Sequence, residues 1–361
     1  MSHSPSPLAS THVSATEAAP TVTPPTKPAT RNDVAARAQV STAVVSYVMT
    51  GSKRVTPEKE RRVREAMAEL GYRPNSTARA LRTGKTFVLA LLLPDSSNPY
   101  FAEIALRIES VAAEQGYALL IANTHDDPAT ELRLLREMRS RGVDGAILAS
   151  VFHATWPGDA REMPLVLIDA FHPVDGVPAI GVDAEASTRQ AVQHLVEVHG
   201  RRSIALALGA SVDPAGNPDP RQQGWEQALA ATGARSGGIA VTSWSREGGV
   251  AAVHQLLAGP DRPDAIFAGS DLLGVGVLRA AADLGLRVPE DLAVVSYDGS
   301  TESAFSIPRL TTVAQPIGDV ARAAVAALLD ADAALPYLSY PGELLIRESC
   351  GCDSAPPRVT R

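Results

Sequence analysis

Four charged side chains, Asp169, Arg221, Asp271 and Asp298, offer a planar donor fork and carboxylates that can bond hydroxyl groups in pairs. Four rings, Tyr100, Phe101, Phe171 and Trp244, can cover the face of a sugar or stack on a purine. Together they suit holding a small polar molecule. Residues that could transform one occur only in fragments. Gly84-Lys85-Thr86 ends like a phosphate loop, but Arg79 stands where the earlier glycine is needed. Gly274 and Gly276 lack the third glycine of a dinucleotide fingerprint, Arg279 being in its place. His194 and His199 are five apart, one more than the spacing that puts two ligands on one helix face. Asp126 and Asp127 are adjacent, so their carboxylates diverge into a solvated loop. Cys350 and Cys352 are too few for a disulfide framework or a zinc site and read as exposed, reduced thiols. No nucleophile, base and orienting group come together, so an enzyme, a cofactor and a metal are not expected.

The elements that position these residues follow from the rest of the chain. With 361 residues, 45% hydrophobic and 20% charged, there is room for two or three globular domains. The longest apolar run, Phe87 to Leu93, falls far short of the ~18 residues that cross a bilayer, and no secretory signal is evident, which places the protein in the cytoplasm. Residues 1–28 include 16 Ser, Thr or Pro and read as a disordered tail, as do residues 353–361. Charge is unevenly divided: Lys27 to Lys85 holds 13 Lys/Arg against 5 Asp/Glu, and the remainder carries a net −15. A small basic module on an acidic body suits a polyanionic partner for the module alone, although Glu58 to Glu65 mixes both signs as a solvated helix would.

Within the basic module, Thr30 and Asp33 form a capping box before the apolar face Val34, Ala35 and Ala38. Ser41 caps a second helix that buries Val45 and Val48 and closes at Thr50-Gly51. Thr56 and Pro57 open a third that runs to Leu70 and stops at Gly71. Three short helices with a tight first bend make a helix-turn-helix module. Ser76 to Arg82 could add two helical turns, too few to be stable alone. Beyond Lys85, strand-like runs alternate with helical stretches: Phe87–Leu93, Tyr117–Ala122, Gly145–Ala149, Leu165–Ile168, Ala179–Val182, Ser203–Leu208, Ala265–Ala268 and Leu292–Tyr297. That alternation predicts parallel sheets covered by helices, in two lobes.

Over residues 29 to 350 or so the chain resembles the LacI-type (lactose repressor family) bacterial transcription regulators. The strings that carry the likeness are Asp33-Val34-Ala35 with Val40-Ser41, Glu69 to Asn75, and Ala78 to Gly84. Further on come Ser97 to Phe101, Gly142 to Gly145, Arg221 with Gly224, Gly285 to Pro289, Tyr297-Asp298 and Leu310 to Thr312. Their order and spacing are specific. The resemblance implies an N-terminal all-α helix-turn-helix headpiece (29–73), a hinge helix (74–85) and a bilobal periplasmic-binding-protein-like core of two parallel α/β lobes (86–352). Lobe 1 is expected at about 86–183 and 315–335, lobe 2 at about 184–314 and 336–352. It further implies a homodimer on a near-palindromic double-stranded operator, no membrane, and an effector, expected to be a sugar or sugar derivative, between the lobes. A marginal helix between module and body is then an order–disorder switch.

A recognition helix reads base edges from its N-terminal turn, which selects Thr42, Ala43 and Tyr47, the base-reading positions by family likeness as well. Ala43 can at most meet a thymine methyl. Ser41 and Ser46 can donate to phosphates. By resemblance, Asn75 lies near the backbone, Ala78 belongs to the DNA-contacting hinge string, Leu81 wedges into the minor groove and Arg82 follows the groove. The family usually has Thr in place of Val44, Arg or His in place of Tyr47, Asn in place of Thr50, an apolar residue in place of Arg31 and Gly in place of Gln39. Ligands of parallel sheets sit beyond strand carboxyl ends, where the eight residues named at the outset fall. The family's positions for Phe101, Arg221 and Asp271 touch effector directly, with an Arg221–Asp271 ion pair as the structural alternative and turn capping that for Asp298. A purine- or nucleoside-responsive corepressor type and a solute-binding protein without DNA function are the rival readings.

Overall fold

The computed structural model describes residues 29–73, 80, 83–149, 163–171, 173, 176–210, 218–330 and 337–353. Both expected disordered tails, apart from Asp353, lie outside these residues. The chain divides into two compact units, residues 1–78 and 79–361.

In the first unit, α1 (Arg31–Ala38) opens on the expected capping box: Asp33 N–H donates to Thr30 Oγ1 and Thr30 N–H donates to Asp33 Oδ2. Gln39 then turns the chain at φ 52°, the left-handed conformation that explains the family's glycine there. α2 (Thr42–Thr50) starts at Ser41 and stops at Gly51 (φ 64°), and α3 (Pro57–Glu69) follows, with Leu70 as its cap. Val34, Ala35, Ala38, Val45, Val63 and Ala66 form the core, with Val48 packed against it. At roughly 1.5–3 kcal/mol per fully buried valine, so few large side chains make a marginal unit, and the caps matter correspondingly.

The second unit contains two six-stranded sheets. β1 (Val88–Leu93), β2 (Ala118–Asn123), β3 (Gly145–Ala149), β4 (Leu165–Ile168), β5 (Ala179–Val182) and β11 (Tyr337–Tyr340) lie in the order β11-β5-β4-β3-β1-β2, all parallel. β6 (Ser203–Gly209), β7 (Arg235–Thr242), β8 (Ala265–Ala268), β9 (Ala293–Asp298), β10 (Thr311–Ala314) and β12 (Glu343–Leu345) lie in the order β12-β10-β9-β8-β6-β7, with only β12 antiparallel. Central strands such as Leu-Val-Leu-Ile at β4 are buried along their length because helices cover both faces. On the first sheet pack α4 (Pro99–Glu114), α5 (Pro128–Ser140) and, after the chain has left and returned, α11 (Ile317–Leu329). On the second pack α6 (Ala184–Glu197), α7 (Pro220–Thr232), α8 (Arg246–Leu257) and α9 (Asp271–Asp283), and the short α10 (Thr301–Phe305) follows β9.

Two expectations need correction. The second segment of lobe 2 was expected to begin at about 336, but Tyr337–Tyr340 pairs with β5 in the first sheet, so the last crossing falls at Pro341-Gly342. The two cysteines are not an exposed pair: Cys350 is buried and Cys352 partly so. The hinge region is described only in part: Gly84 N–H donates to the Ala80 carbonyl at 2.8 Å, one helical turn.

Candidate functional site

In the headpiece the sequence places polar side chains where the first turn of α2 is open. Ser41 Oγ accepts the Val44 N–H at 3.4 Å, which caps the helix and leaves the hydroxyl proton free to donate outward. Val45 faces inward, fully buried, while Thr42 and Ala43 are exposed and Ser46 and Tyr47 half-buried beside them. The Lys53 ammonium lies 5.2 Å from the Tyr47 ring centre, which brings a cation to the same face. Three ion pairs, Arg37–Glu69, Arg61–Glu65 and Arg64–Glu60, engage three of the five acidic residues. Ser41, Thr42, Ala43, Ser46 and Tyr47 thus form one surface. Asn75, Ala78, Leu81 and Arg82 lie outside the described residues.

In the core, Arg221 is the centre of the site. Asp219 caps α7 and its carboxylate accepts from the Arg221 backbone N–H, Nε and Nη2 at 2.8, 2.9 and 2.7 Å. Arg221 Nη1 donates to the Gly269 carbonyl at 3.0 Å. Rings wall the guanidinium: its carbon is 4.5 Å from the Trp244 ring centre, 5.2 Å from Phe171 and 5.8 Å from Tyr297. Trp244 is held by small neighbours, since a side chain at Gly209 would run into its ring. Phe171 follows β4 of the first lobe yet packs with the second lobe's core, so the rings span both. Burial acts against both charges, but the pairing wins: Asp219 is held below the ordinary carboxylate range and Arg221 above its own.

Around this pair lie carboxylates that burial pushes the other way. Asp169 follows β4 at φ 57°; burial pushes its carboxyl up to about 6, Arg221 opposing and Asp219 adding. Asp298 (φ 119°) is held well above the usual range by burial and by Asp271. A bridge crosses between the lobes: the Tyr100 hydroxyl donates to Gln315 Oε1 at 3.0 Å, and Gln315 Nε2 donates to Asp298 Oδ1 at 3.2 Å. Asp298 Oδ2 in turn accepts the Asp271 backbone N–H at 3.3 Å, a bond to the start of α9 rather than the cap of the turn after β9 that was weighed from sequence.

Two expected contacts sit deeper. Phe101 is buried in the first lobe's core, its ring centre 5.1 Å from that of Tyr100. Asp271 does not pair with Arg221. Its carboxylate accepts from Ser296 Oγ, Thr312 Oγ1, and the Ser300 N–H and Oγ, all within 2.7 Å. A ligand contact by Asp271 would have to exchange one of these bonds. Three site residues escaped the sequence reading. Asp219 carries the signal of an N-cap just before Pro220. Tyr297 is the penultimate residue of β9, and its buried hydroxyl has no hydrogen-bond partner among the described residues. Gln315 carries no sequence signal; only the return of the chain from β10 to α11 brings it to the bridge.

The profile of bacterial regulatory proteins of the lacI family matches residues 30–75, and that of the periplasmic binding protein-like domain matches residues 192–350. Catabolite control protein A of Priestia megaterium is 34% identical over 81% of this chain and 89% of its own length. The chain belongs to the lacI family. The structure of the lac repressor dimer bound to operator and the anti-inducer ONPF superposes with a TM-score of 0.77 at 26% identity, covering 90% of this chain and 99% of that one. A complex of the transcriptional regulator CelR with cellobiose gives 0.64 at 32% identity, covering 89% and 99%. This family member is a DNA-binding transcriptional repressor with an effector-binding core, not an enzyme. The matched headpiece disfavours a solute-binding protein without DNA function. Among the described residues no helix is long and apolar enough to cross a membrane.

Proposed function

We propose that this repressor takes a sugar or sugar derivative between its lobes, with Arg221 and Asp169 as the principal hydrogen-bonding groups and Trp244, Phe171 and Tyr297 as the ring wall. The carrying observation is the Asp219-fixed guanidinium enclosed by rings from both lobes. All three rings are turned onto that charge, which favours a hydroxylated ligand over a flat purine between two parallel faces. Asp271 holds the Ser300 loop that presents Asp298. A ligand bridging Asp169 and Phe171 to Arg221 binds one lobe arrangement better than another, and that difference is what shifts operator affinity.

On DNA, Thr42, Ala43 and Tyr47 read bases, Ser41 and Ser46 meet phosphates, and hinge Leu81 wedges the central step of a near-palindromic operator. Two copies serve the two half-sites, working in the cytoplasm at the nucleoid. Exposed Leu106, Leu120 and Ile121 on the first lobe and Ile239 and Val241 on the second lie on or beside the open edge strands β2 and β7, apolar surface suited to a second copy. Leu81→Ala is expected to weaken operator binding more than tenfold and leave effector affinity unchanged; equal operator binding would remove Leu81 from this role.

Thermal melting of the full chain against mono- and disaccharides, sugar phosphates, nucleosides and purines tests the ligand class. Ligand at a hundred times its Kd adds about 2.7 kcal/mol, a rise of roughly 5–10 °C for a protein of this size. A rise with a sugar supports the proposal; a rise only with purines overturns it.

A further inference from the structure

His194, His199, Cys350 and Cys352 are absorbed by neither site, yet their potential ligand atoms all lie within 4.8 Å of one another. His194 is in the last turn of α6 and His199 in the bend that follows, so the five-residue spacing does not run along one helix: α6 has ended at Glu197. The second half of the cluster is the turn after β12. There Gly351 takes φ 112° and packs against the His199 ring so closely that an added Cβ would stand 3.0 Å from Nδ1. This brings the sulfurs of two cysteines one residue apart within 4.8 Å of the imidazoles, Cys352 in contact with both rings and the Cys350 thiol donating to the Arg347 carbonyl at 3.4 Å, a bond it would give up to a cation. At ~1.5 Å per residue, the eleven residues from Asp183 to His194 set the cluster about 16 Å along α6 from the end that begins after β5.

The measured separations have a definite geometric meaning. His194 Nε2 and His199 Nε2 are 3.2 Å apart, and Cys352 Sγ is 3.3 Å from His199 Nε2 and 3.7 Å from His194 Nε2. A tetrahedral ion with bonds of about 2.0–2.1 Å to nitrogen and 2.3 Å to sulfur requires about 3.4 Å between nitrogens and about 3.6 Å between sulfur and nitrogen. A single proton between two facing ring nitrogens satisfies one lone pair with the other's N–H, whereas a cation at the centre takes both. The two imidazole nitrogens and Cys352 Sγ therefore stand near three of the corners such an ion needs, with Cys350 Sγ within 4.8 Å of them for the fourth, and two sulfurs with two imidazoles are the donor set of a structural zinc site.

We propose that these four side chains hold a zinc-class divalent cation, which fastens the chain's C-terminal segment to the end of α6. On binding, the two thiols release their protons to solvent and the imidazoles bind as neutral rings, with no change of oxidation state. The segment is already tied on its near side by several hydrogen bonds, among them the Val294 N–H to the Ser349 carbonyl and Arg347 Nη1 to the Leu310 carbonyl. The Arg309–Glu348 ion pair and Ser349, which donates to the Val294 carbonyl and accepts the Thr311 N–H, hold its near side. The cation would secure its far side and close a long loop through the second lobe.

The test uses full-length chain, reduced, freed of metal with chelator and titrated with cobalt(II). One cobalt per chain is expected, with thiolate-to-metal charge-transfer absorption in the near ultraviolet and tetrahedral ligand-field bands in the visible, displaced by zinc. Zinc should raise the melting temperature by about 5 °C or more. Cys352→Ser and His199→Gln should lose the sulfur-cobalt spectrum and the shift while melting cooperatively. Wild-type chain that takes up neither metal, or Cys352→Ser that takes up cobalt with the wild-type spectrum, overturns the proposal. So does reduced wild type that only reoxidises to a Cys350–Cys352 disulfide in the presence of metal.

Discussion

Arg221 shows how one side chain can be both rigid and responsive. Removing it leaves Asp219 buried without its partner, yet both are remote in sequence from the headpiece that meets DNA. Arg221→Ala should therefore retain operator affinity and lose release by effector, measured as fluorescence anisotropy of labelled operator during a sugar titration. Normal release would exclude the pocket described. Asp169 gives a pH signature. Its folded value of about 6 lies above the ordinary 3.8, so its contribution to stability is present below 3.8 and is lost as pH rises through 6. A sugar hydroxyl donating to the carboxylate favours the charged form. Binding should then expel a proton and tighten as pH rises from about 5 to 7, and Asp169→Asn should flatten that profile in calorimetric titrations. The shift at Asp169 was not legible in sequence, because it depends on burial beside Arg221, some 50 residues away; the Asp219 partnership is local, and the N-cap signal before Pro220 was there to be read. The choice of Arg221 as a candidate was legible, since it lies beyond a strand end in a motif with Gly224, and the structure places it among rings from both lobes.

At the scale of elements, local chemistry predicted most of the structure where it acts alone. The capping box at Thr30, the Ser41 cap, and the bounds of β3, β4, β5 and β8 need only their own residues. β7 was missed because Gly237 and Gly238 interrupt an edge strand with alternating exposure, and β11 and β12 because they are short and owe their order to neighbours. The α1–α2 bend carries a cost that can be measured. A left-handed glutamine is disfavoured by roughly 1 kcal/mol or more, so Gln39→Gly should slow amide exchange in α1 and α2, offset in part by glycine's greater freedom when unfolded. Close helix packing offers the opposite case. A Cβ at Gly276 in α9 would stand 2.0 Å from the Arg246 carbonyl oxygen of α8, and Gly276→Ala should cost about 1–3 kcal/mol, read as a drop of several degrees in Tm. That glycine, half of a spurious nucleotide fingerprint in the sequence, is explained by packing.

For the whole molecule, the charge division is the broadest feature that sequence alone made visible: a +8 stretch from Lys27 to Lys85 on a chain of net −7. Operator binding should accordingly weaken steeply with salt, while effector binding to the acidic core should change little. The chain crosses between the sheets at three places, after β5, after β10 and after β11, so neither lobe is a continuous segment. Sequence alternation predicted two lobes but could not place the last crossing, because a four-residue strand carries no mark of which sheet will accept it. Linkage then joins the ends of the molecule: a sugar that weakens operator binding by some factor must bind the operator complex more weakly by the same factor. The most direct measurement is the Kd of the full chain for a palindrome selected from random DNA, with and without saturating concentrations of the sugar that raises its Tm. A change of about 5- to 150-fold, corresponding to a coupling of about 1–3 kcal/mol and absent in Arg221→Ala, is predicted. An unchanged Kd at saturating sugar would contradict effector control through this cleft.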